Sequence, residues 1–306
     1  MSRIRTLSLF LVLAAVWGSA FMAINAGLAY FPPVLFAAFR FDIAGVVMLA
    51  YAAFVVDDPI PRGRDEWTVV AIGATLIIAA YHAFLFIGES DPAVTSAIAA
   101  VIVSLSPVLT TVFARAFLPS ERLTPIGVLG LLVGLVGAVV LAAPDPGNLA
   151  GSGTVSKFLV LLAAASFALG SVLTRASDDE MQIETMEAWS MLVGAGLTHL
   201  LALALGESVA DVAWTTEAVL SLAYLAIAAS GLGFLIYFHL LDQLGPIEIN
   251  LVSYVAPIFA AISGWIFLSE GIALNTIVGF LIICAGFALV KRSALRSALR
   301  EYGVVR

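Results

Sequence analysis

The sequence predicts an all-helical membrane protein with ten spans arranged as two inverted five-helix repeats. Three observations carry this. Of 306 residues, 62% are hydrophobic and 11% charged, and the mean hydropathy is +1.08, far above that of a soluble globular domain. The apolar runs extend for about twenty residues, the length of one bilayer crossing, instead of alternating as barrel strands do. The two halves of the chain also resemble each other weakly at an offset of 150, which becomes 149 after a one-residue gap.

The spans fall at about 7–29, 34–56, 67–87, 93–117, 124–143, 156–175, 184–205, 217–241, 246–268 and 272–291. Turn signals separate them: Pro32 and Pro33, the polar stretch 57–65, Pro92, Pro119, the stretch 144–153, Asp178 and Asp179, and Gly245 with Pro246. The first run carries Arg3 and Arg5 before it and continues without a cleavage site, so it is expected to be retained. The single cysteine, Cys284, lies in an apolar run and has no partner for a disulfide. The net charge of -7 belongs to the connections and gives no basic surface for nucleic acid.

Basic residues sort to one side. Arg62, Arg64, Arg115, Arg122, Arg175 and the tail from Lys291 share the side of the N-terminus, whereas Lys157 lies opposite and Arg40 falls inside a span. Both termini are therefore expected in the cytoplasm of a multi-pass protein in the plasma or inner membrane. The repeats occupy 7–143 and 156–291, followed by a basic cytoplasmic tail at 292–306.

Trp17 in LAAVW pairs with Phe167 in LAAASF, and Pro107 pairs with Pro257. Beyond a one-residue gap, Glu121 pairs with Glu270, Gly130 with Gly279 and Gly137 with Gly286. Five spans per half is odd, so the second half enters the membrane from the other side. Such an inverted pair gives alternating access a physical basis, and favours a carrier over a channel or an intramembrane enzyme.

The segments WGSAF, AAFRF, SPVLTTVFARAFLPSERLTPIGVLGLLVGLVGAVVL and APIFAAISGWIFLSEGIALNTIVGFLIICAGFAL resemble the drug/metabolite transporter superfamily, EamA type, over nearly the whole chain. The resemblance implies two EamA repeats, a central cavity lined mainly by spans 1, 3, 4, 6, 8 and 9, and export or exchange of small metabolites, often amino acids. Phe167 departs from it, standing where the family commonly has tryptophan, as does the acid Glu248 near a position usually small.

An ionisable side chain within a span costs about 2.5 to 3.5 kcal/mol on insertion scales, so each is a candidate for function. In the third span Thr68, Thr75, His82 and Glu89 recur every seven residues, on one face of a straight helix. His82 is placed at the cavity as a substrate contact; a structural hydrogen bond is the competing reading. Trp17 and Phe21 face inward in span 1, Phe167 shares a face with Ser171 and Thr174 in span 6, and Asn250, Tyr254 and Pro257 share one in span 9. Trp17, Phe21, His82, Phe167, Ser171, Asn250 and Tyr254 are the expected cavity residues. Packing is the competing explanation for the aromatic stripes.

Pro107 and Pro257 are expected to free the carbonyls of Val103 and Ser253 and to serve gating, and Arg40 to act in structure or gating, with direct contact to a substrate carboxylate or phosphate as the competing reading. His199 is read as structural and His239 as interfacial. Glu248 is read as an acid stabilised at a helix start, with a proton carrier as the competing reading, and Glu121 and Glu270 as caps or inter-helix partners. Gly127, Gly130, Gly134 and Gly137 should bring span 5 close to another helix, and a homodimer through span 5 or span 10 is one outcome.

No phosphate loop, metal cluster or nucleophile-base pair is visible, so neither a cofactor nor enzymatic chemistry is expected. The expected ligand is a small molecule, with lipid as the other partner and nucleic acid excluded. An amino acid or similar metabolite, exported or exchanged, is the first reading. A nucleotide-sugar or phosphorylated-metabolite exchanger is second, because such a carrier should show several basic residues in the cavity helices and Arg40 alone is thin support.

Overall fold

The computed structural model describes residues 3–117, 125–142, 152–177, 181–249, 252–290 and 292. Ten helices are traced among them: α1 (Arg3–Gly27), α2 (Pro33–Val55), α3 (Arg64–Glu89), α4 (Ser96–Phe117), α5 (Pro125–Ala142), α6 (Ser152–Ala176), α7 (Ile183–Ala204), α8 (216–249), α9 (Val252–Leu268) and α10 (Leu274–Val290). Seven of these are long and apolar enough to cross a bilayer, and the apolar segments in α5, α9 and α10 are shorter. The protein is a multi-pass membrane protein.

Local chemistry sets the helix starts. Pro33 opens α2, where its missing N–H leaves nothing unpaired, and the Glu207 carboxylate accepts the N–H groups of Val34 at 3.2 Å and Leu35 at 2.7 Å. Thr95 and Thr215 cap α4 and α8 through their hydroxyls. The link after α2 is tied to α7, where the Trp189 indole donates to the Pro59 carbonyl at 2.8 Å.

The repeat is visible in the packing. Helices α5 and α10 run antiparallel with their glycines facing: a Cβ on Gly137 would meet Ile283 and the Gly279 carbonyl, and one on Gly286 would meet Gly130 and Gly134. Exchanging the repeats turns the first contact into the second, as a two-fold axis in the membrane plane requires. The close approach to another helix expected of the span 5 glycines is thus made to α10 within one chain. The other repeat-related pair at the periphery, α2 and α7, is joined by Asp42 and His199 at 2.8 Å, which gives His199 a structural partner.

Two features were not expected. Residues Gly73–Ala80 of α3 and Tyr224–Leu232 of α8 are wound as wide π turns. The offset of 150 carries 73–80 onto 223–230, so they occupy equivalent places in the two halves. A π turn inserts one residue and rotates whatever follows by about 100°. This corrects the single stripe expected along α3: Thr68 and Thr75 are exposed, whereas His82 and Glu89, beyond the insertion, are buried. Gly245 and Pro246 also lie within helical backbone to Ile249 and not in a turn.

The core is unequal along the membrane normal. Centred in the half remote from the N-terminus, one continuous cluster joins α1 to α4 and α6 to α10, with Phe36, Phe86, Ile24 and Leu225 fully buried in it and Ala260 of α9 and Ile283 of α10 at its inner edge. In the half on the N-terminal side the buried apolar residues among those described divide into two clusters. One, around Phe41, Met48 and Met191, joins α2, α3 and α7; the other, around Leu13, Leu240 and Val252, joins α1, α8 and α9. Tyr237 touches both.

Candidate functional site

The site grows from the wide turn of α8. A π turn weakens the regular bonding of its carbonyls, and here Ala229 offers its oxygen to the Trp17 indole N–H at 3.0 Å. The indole fits because residue 233 is glycine; a Cβ there would lie 2.6 Å from Nε1. One turn further along α8, Phe234 and Tyr237 receive the indole ring, with centroids at 5.8 Å and 5.4 Å. The next residue of the same wide turn, Ser230, holds Arg40: Nε donates to Oγ at 3.1 Å while the guanidinium lies 5.1 Å from the Phe41 ring centroid. Arg40 is 7% exposed, with Tyr81, Glu89 and Tyr224 within electrostatic reach.

The repeat-related wide turn of α3 is engaged in the same manner from α6. The Ser166 hydroxyl donates to the Leu76 carbonyl at 2.8 Å, and Gly170 packs against Leu76 and Ile77. Phe167, at 37% exposed, lies 5.5 Å from the Tyr81 ring. His82 is enclosed by Tyr81 and Phe41, both at 4.4 Å, and its Nδ1 is 2.9 Å from the Ile78 carbonyl one turn back.

The expected site residues therefore divide. Trp17 and Arg40 converge on one wide turn, while His82 and Phe167 gather around the other with Tyr81 between them. Ser171 donates to the Phe167 carbonyl of its own helix. Phe21 is 8% exposed in the continuous cluster. Tyr254 packs its ring on Phe287 of α10 at 4.4 Å, with its hydroxyl buried and without a hydrogen-bond partner among the described residues. Asn250, and with it Glu121, lies outside the described residues.

The prolines differ. Pro107 follows a break in α4 at Ser104 and Leu105, and the Val103 carbonyl it was expected to leave free accepts the Ser106 hydroxyl at 2.7 Å. A serine one residue away supplies the missing donor. Pro257 sits buried inside unbroken α9, where Gly18 of α1 packs on the adjacent Ala256 carbonyl and Phe259.

Sequence reasoning missed Phe234, Tyr237, Ser230 and Glu187. Glu187, on α7, is 9% exposed and within electrostatic reach of Tyr237. The aromatic pair at spacing three in α8 was a visible signal, but only the contact with α1 gives it a role.

Comparison with known proteins places this architecture. The profile of the EamA-like transporter family matches residues 4–143 and 155–292. The uncharacterised transporter YoaV of Bacillus subtilis is 27% identical over 89% of this chain and 91% of its own length. A probable terminal-alkyne amino-acid exporter of Streptantibioticus cattleyicolor is 30% identical over 93% of each chain. The uncharacterised inner membrane transporter YedA of Escherichia coli is 28% identical over 81% of this chain and 78% of its own. One solved crystal structure, 25% identical, superposes with a TM-score of 0.66 over 96% of this chain and 99% of that one.

Proposed function

From the premise that this chain belongs to the EamA-like transporter family, and so is a non-enzymatic transporter of small molecules, we propose that it exports or exchanges an amino acid or similar small zwitterion by alternating access. The carrying observation is the unequal core. On the side remote from the N-terminus the described residues pack in a continuous cluster, and on the other they form two packed units with Tyr237 between them. A carrier caught open to one side has this distribution of contacts.

The distribution of Lys and Arg supports a cytoplasmic position for the N-terminal side, hence a plasma or inner membrane protein open to the cytoplasm in this conformer. The pocket would begin at the Trp17, Phe234 and Tyr237 rings and reach Arg40, with Phe167, Tyr81 and His82 across from them. Aromatic faces accept an apolar side chain or an ammonium group, Glu187 adds a counter-charge for the latter, and Arg40 suits a carboxylate. The name of the relative that is a probable amino-acid exporter points the same way. Phosphorylated substrates fit less well, since Arg40 is the single Lys or Arg among the residues of this group.

Proteoliposomes preloaded with a mixture of labelled amino acids test the reading through efflux and counterflow, with and without a pH gradient. Trp17→Ala and Arg40→Ala should each lower flux at least about tenfold, the loss of one binding contact of about 1.4 kcal/mol. Unchanged flux in both, and in Tyr254→Ala, would remove the cavity assignment.

A further inference from the structure

Glu89 ends α3 in the sealed half of the molecule. Its side chain is 2% exposed, and neither carboxyl oxygen has a hydrogen-bond partner among the described residues. The seam around it is tight. A Cβ on the preceding Gly88 would stand 2.6 Å from Val160 and 2.9 Å from the Ser156 carbonyl of α6. The α3–α4 link then crosses the seam, with the Ser156 hydroxyl donating to Asp91 at 3.1 Å and the Asn25 amide of α1 donating to the Val94 carbonyl at 3.2 Å.

The charged groups facing Glu89 are Glu270, on the link between α9 and α10, and Arg40 of α2. Glu270 is itself committed, accepting the Ser96 N–H at 3.1 Å and the Ser96 hydroxyl at 2.9 Å. Arg40 directs its Nε to Ser230 and makes no hydrogen bond to Glu89. Tyr81, on the same helix, is also within reach of the carboxyl. The polar groups that α1, α4 and α6 bring to the seam, Asn25, Ser96 and Ser156, are uncharged, and Asp91 and Lys157 stand at its rim.

A carboxylate sealed away from water without a single donor is among the most unfavourable groups a protein can bury. Adding a proton removes the charge with no movement of the seam, whereas hydrating the anion requires the seam to part. A metal cation would need several oxygen ligands, and the oxygens of Glu270 are already taken. We propose that Glu89 is a proton-binding site that latches the gate on the side remote from the N-terminus: the gate is shut while Glu89 carries a proton, and losing that proton opens it. This rests on the alternating-access reading and adds to it the class of ligand, a proton, that sets the conformer. With the N-terminal side cytoplasmic, external acidity returns the carrier to its cytoplasm-open form.

The test needs no transported substrate. In full-length protein carrying Cys284→Ala and Val94→Cys, reconstituted in nanodiscs, a membrane-impermeant maleimide reports seam opening. Its rate is normalised at each pH to that of Ala210→Cys, an exposed site on the α7–α8 link, which removes the intrinsic pH dependence of thiols. Between about pH 5.5 and about pH 8.5 the normalised rate should rise at least about fivefold, and Glu89→Gln should hold it at the acid value throughout. A flat profile with Glu89 intact, or a rise that survives Glu89→Gln, overturns the proposal. Should Glu89→Gln not fold, Glu89→Asp decides: its shorter carboxyl must move the midpoint, and an unchanged midpoint overturns it equally. Flux measurements judge the export reading separately, so either can fail while the other stands.

Discussion

Replacing Gly286 by alanine puts the α5–α10 seam under a load that can be worked out. The new methyl would lie 2.6 Å from both the Gly130 carbonyl oxygen and the Gly134 nitrogen, and 2.9 Å from the Gly134 Cα. Ordinary contact begins near 3.4 Å, so the shortfall is about 0.8 Å. All three obstacles are backbone. No rotamer change relieves them, and the helices must separate or slide. Overpacking of this kind costs about 1 to 3 kcal/mol, and the lost close contacts between backbones add to it. Unfolding in a graded mixture of mild detergent and dodecyl sulfate, followed by circular dichroism, measures the loss. Leu281→Ala, on the exposed face of the same helix at 60% exposed, is the control and should stay within about 0.5 kcal/mol. The repeat adds a sharper expectation. Gly137→Ala presses the same two helices apart at the related contact, so the double variant should lose less than the sum of the single losses. A neutral Gly286→Ala, or strict additivity with Gly137→Ala, would refute a close-packed seam related by two-fold symmetry.

Three further outcomes follow from single contacts. Gly233→Ala should displace the Trp17 indole from the Ala229 carbonyl and lower flux nearly as far as Trp17→Ala does in the same counterflow assay, because the added methyl occupies the place of the indole N–H. Glu270→Gln keeps the shape but withdraws the charge that Ser96 donates to, and should cost about 1 to 2 kcal/mol in detergent unfolding. Ser106→Ala strips the Val103 carbonyl of its donor beside Pro107; a loss of about 1 to 2 kcal/mol is expected, and Ser106→Thr should restore most of it.

The bilayer constraint made the fold readable: every span must be long and apolar, and the connections must carry turn residues and charge. The inverted repeat was readable from one aromatic, one proline and the glycines, and Gly130, Gly137, Gly279 and Gly286 meet in the seam because close approach demands glycine whatever its neighbours. The wide turns of α3 and α8 were not readable, since GATLIIAA and YLAIAASGL contain nothing that distinguishes π from α winding. That omission also misplaced the α3 stripe, whose sevenfold spacing holds only for a straight helix. Trp17 and Arg40 stood out as side chains costly to bury. Their partners, Ala229 and Ser230, are ordinary residues more than 180 positions away, and the backbone oxygen that holds the indole has no signature in sequence at all.

The matching wide turns also bear on ancestry. An extra residue in a helix is an insertion, and two independent insertions at corresponding points of two halves would be a coincidence. A single insertion in the ancestral five-span unit, copied when that unit was duplicated, accounts for both. The irregularity in α3 and α8 is then older than the ten-span protein, and other descendants of the same duplication should carry it at the same two places.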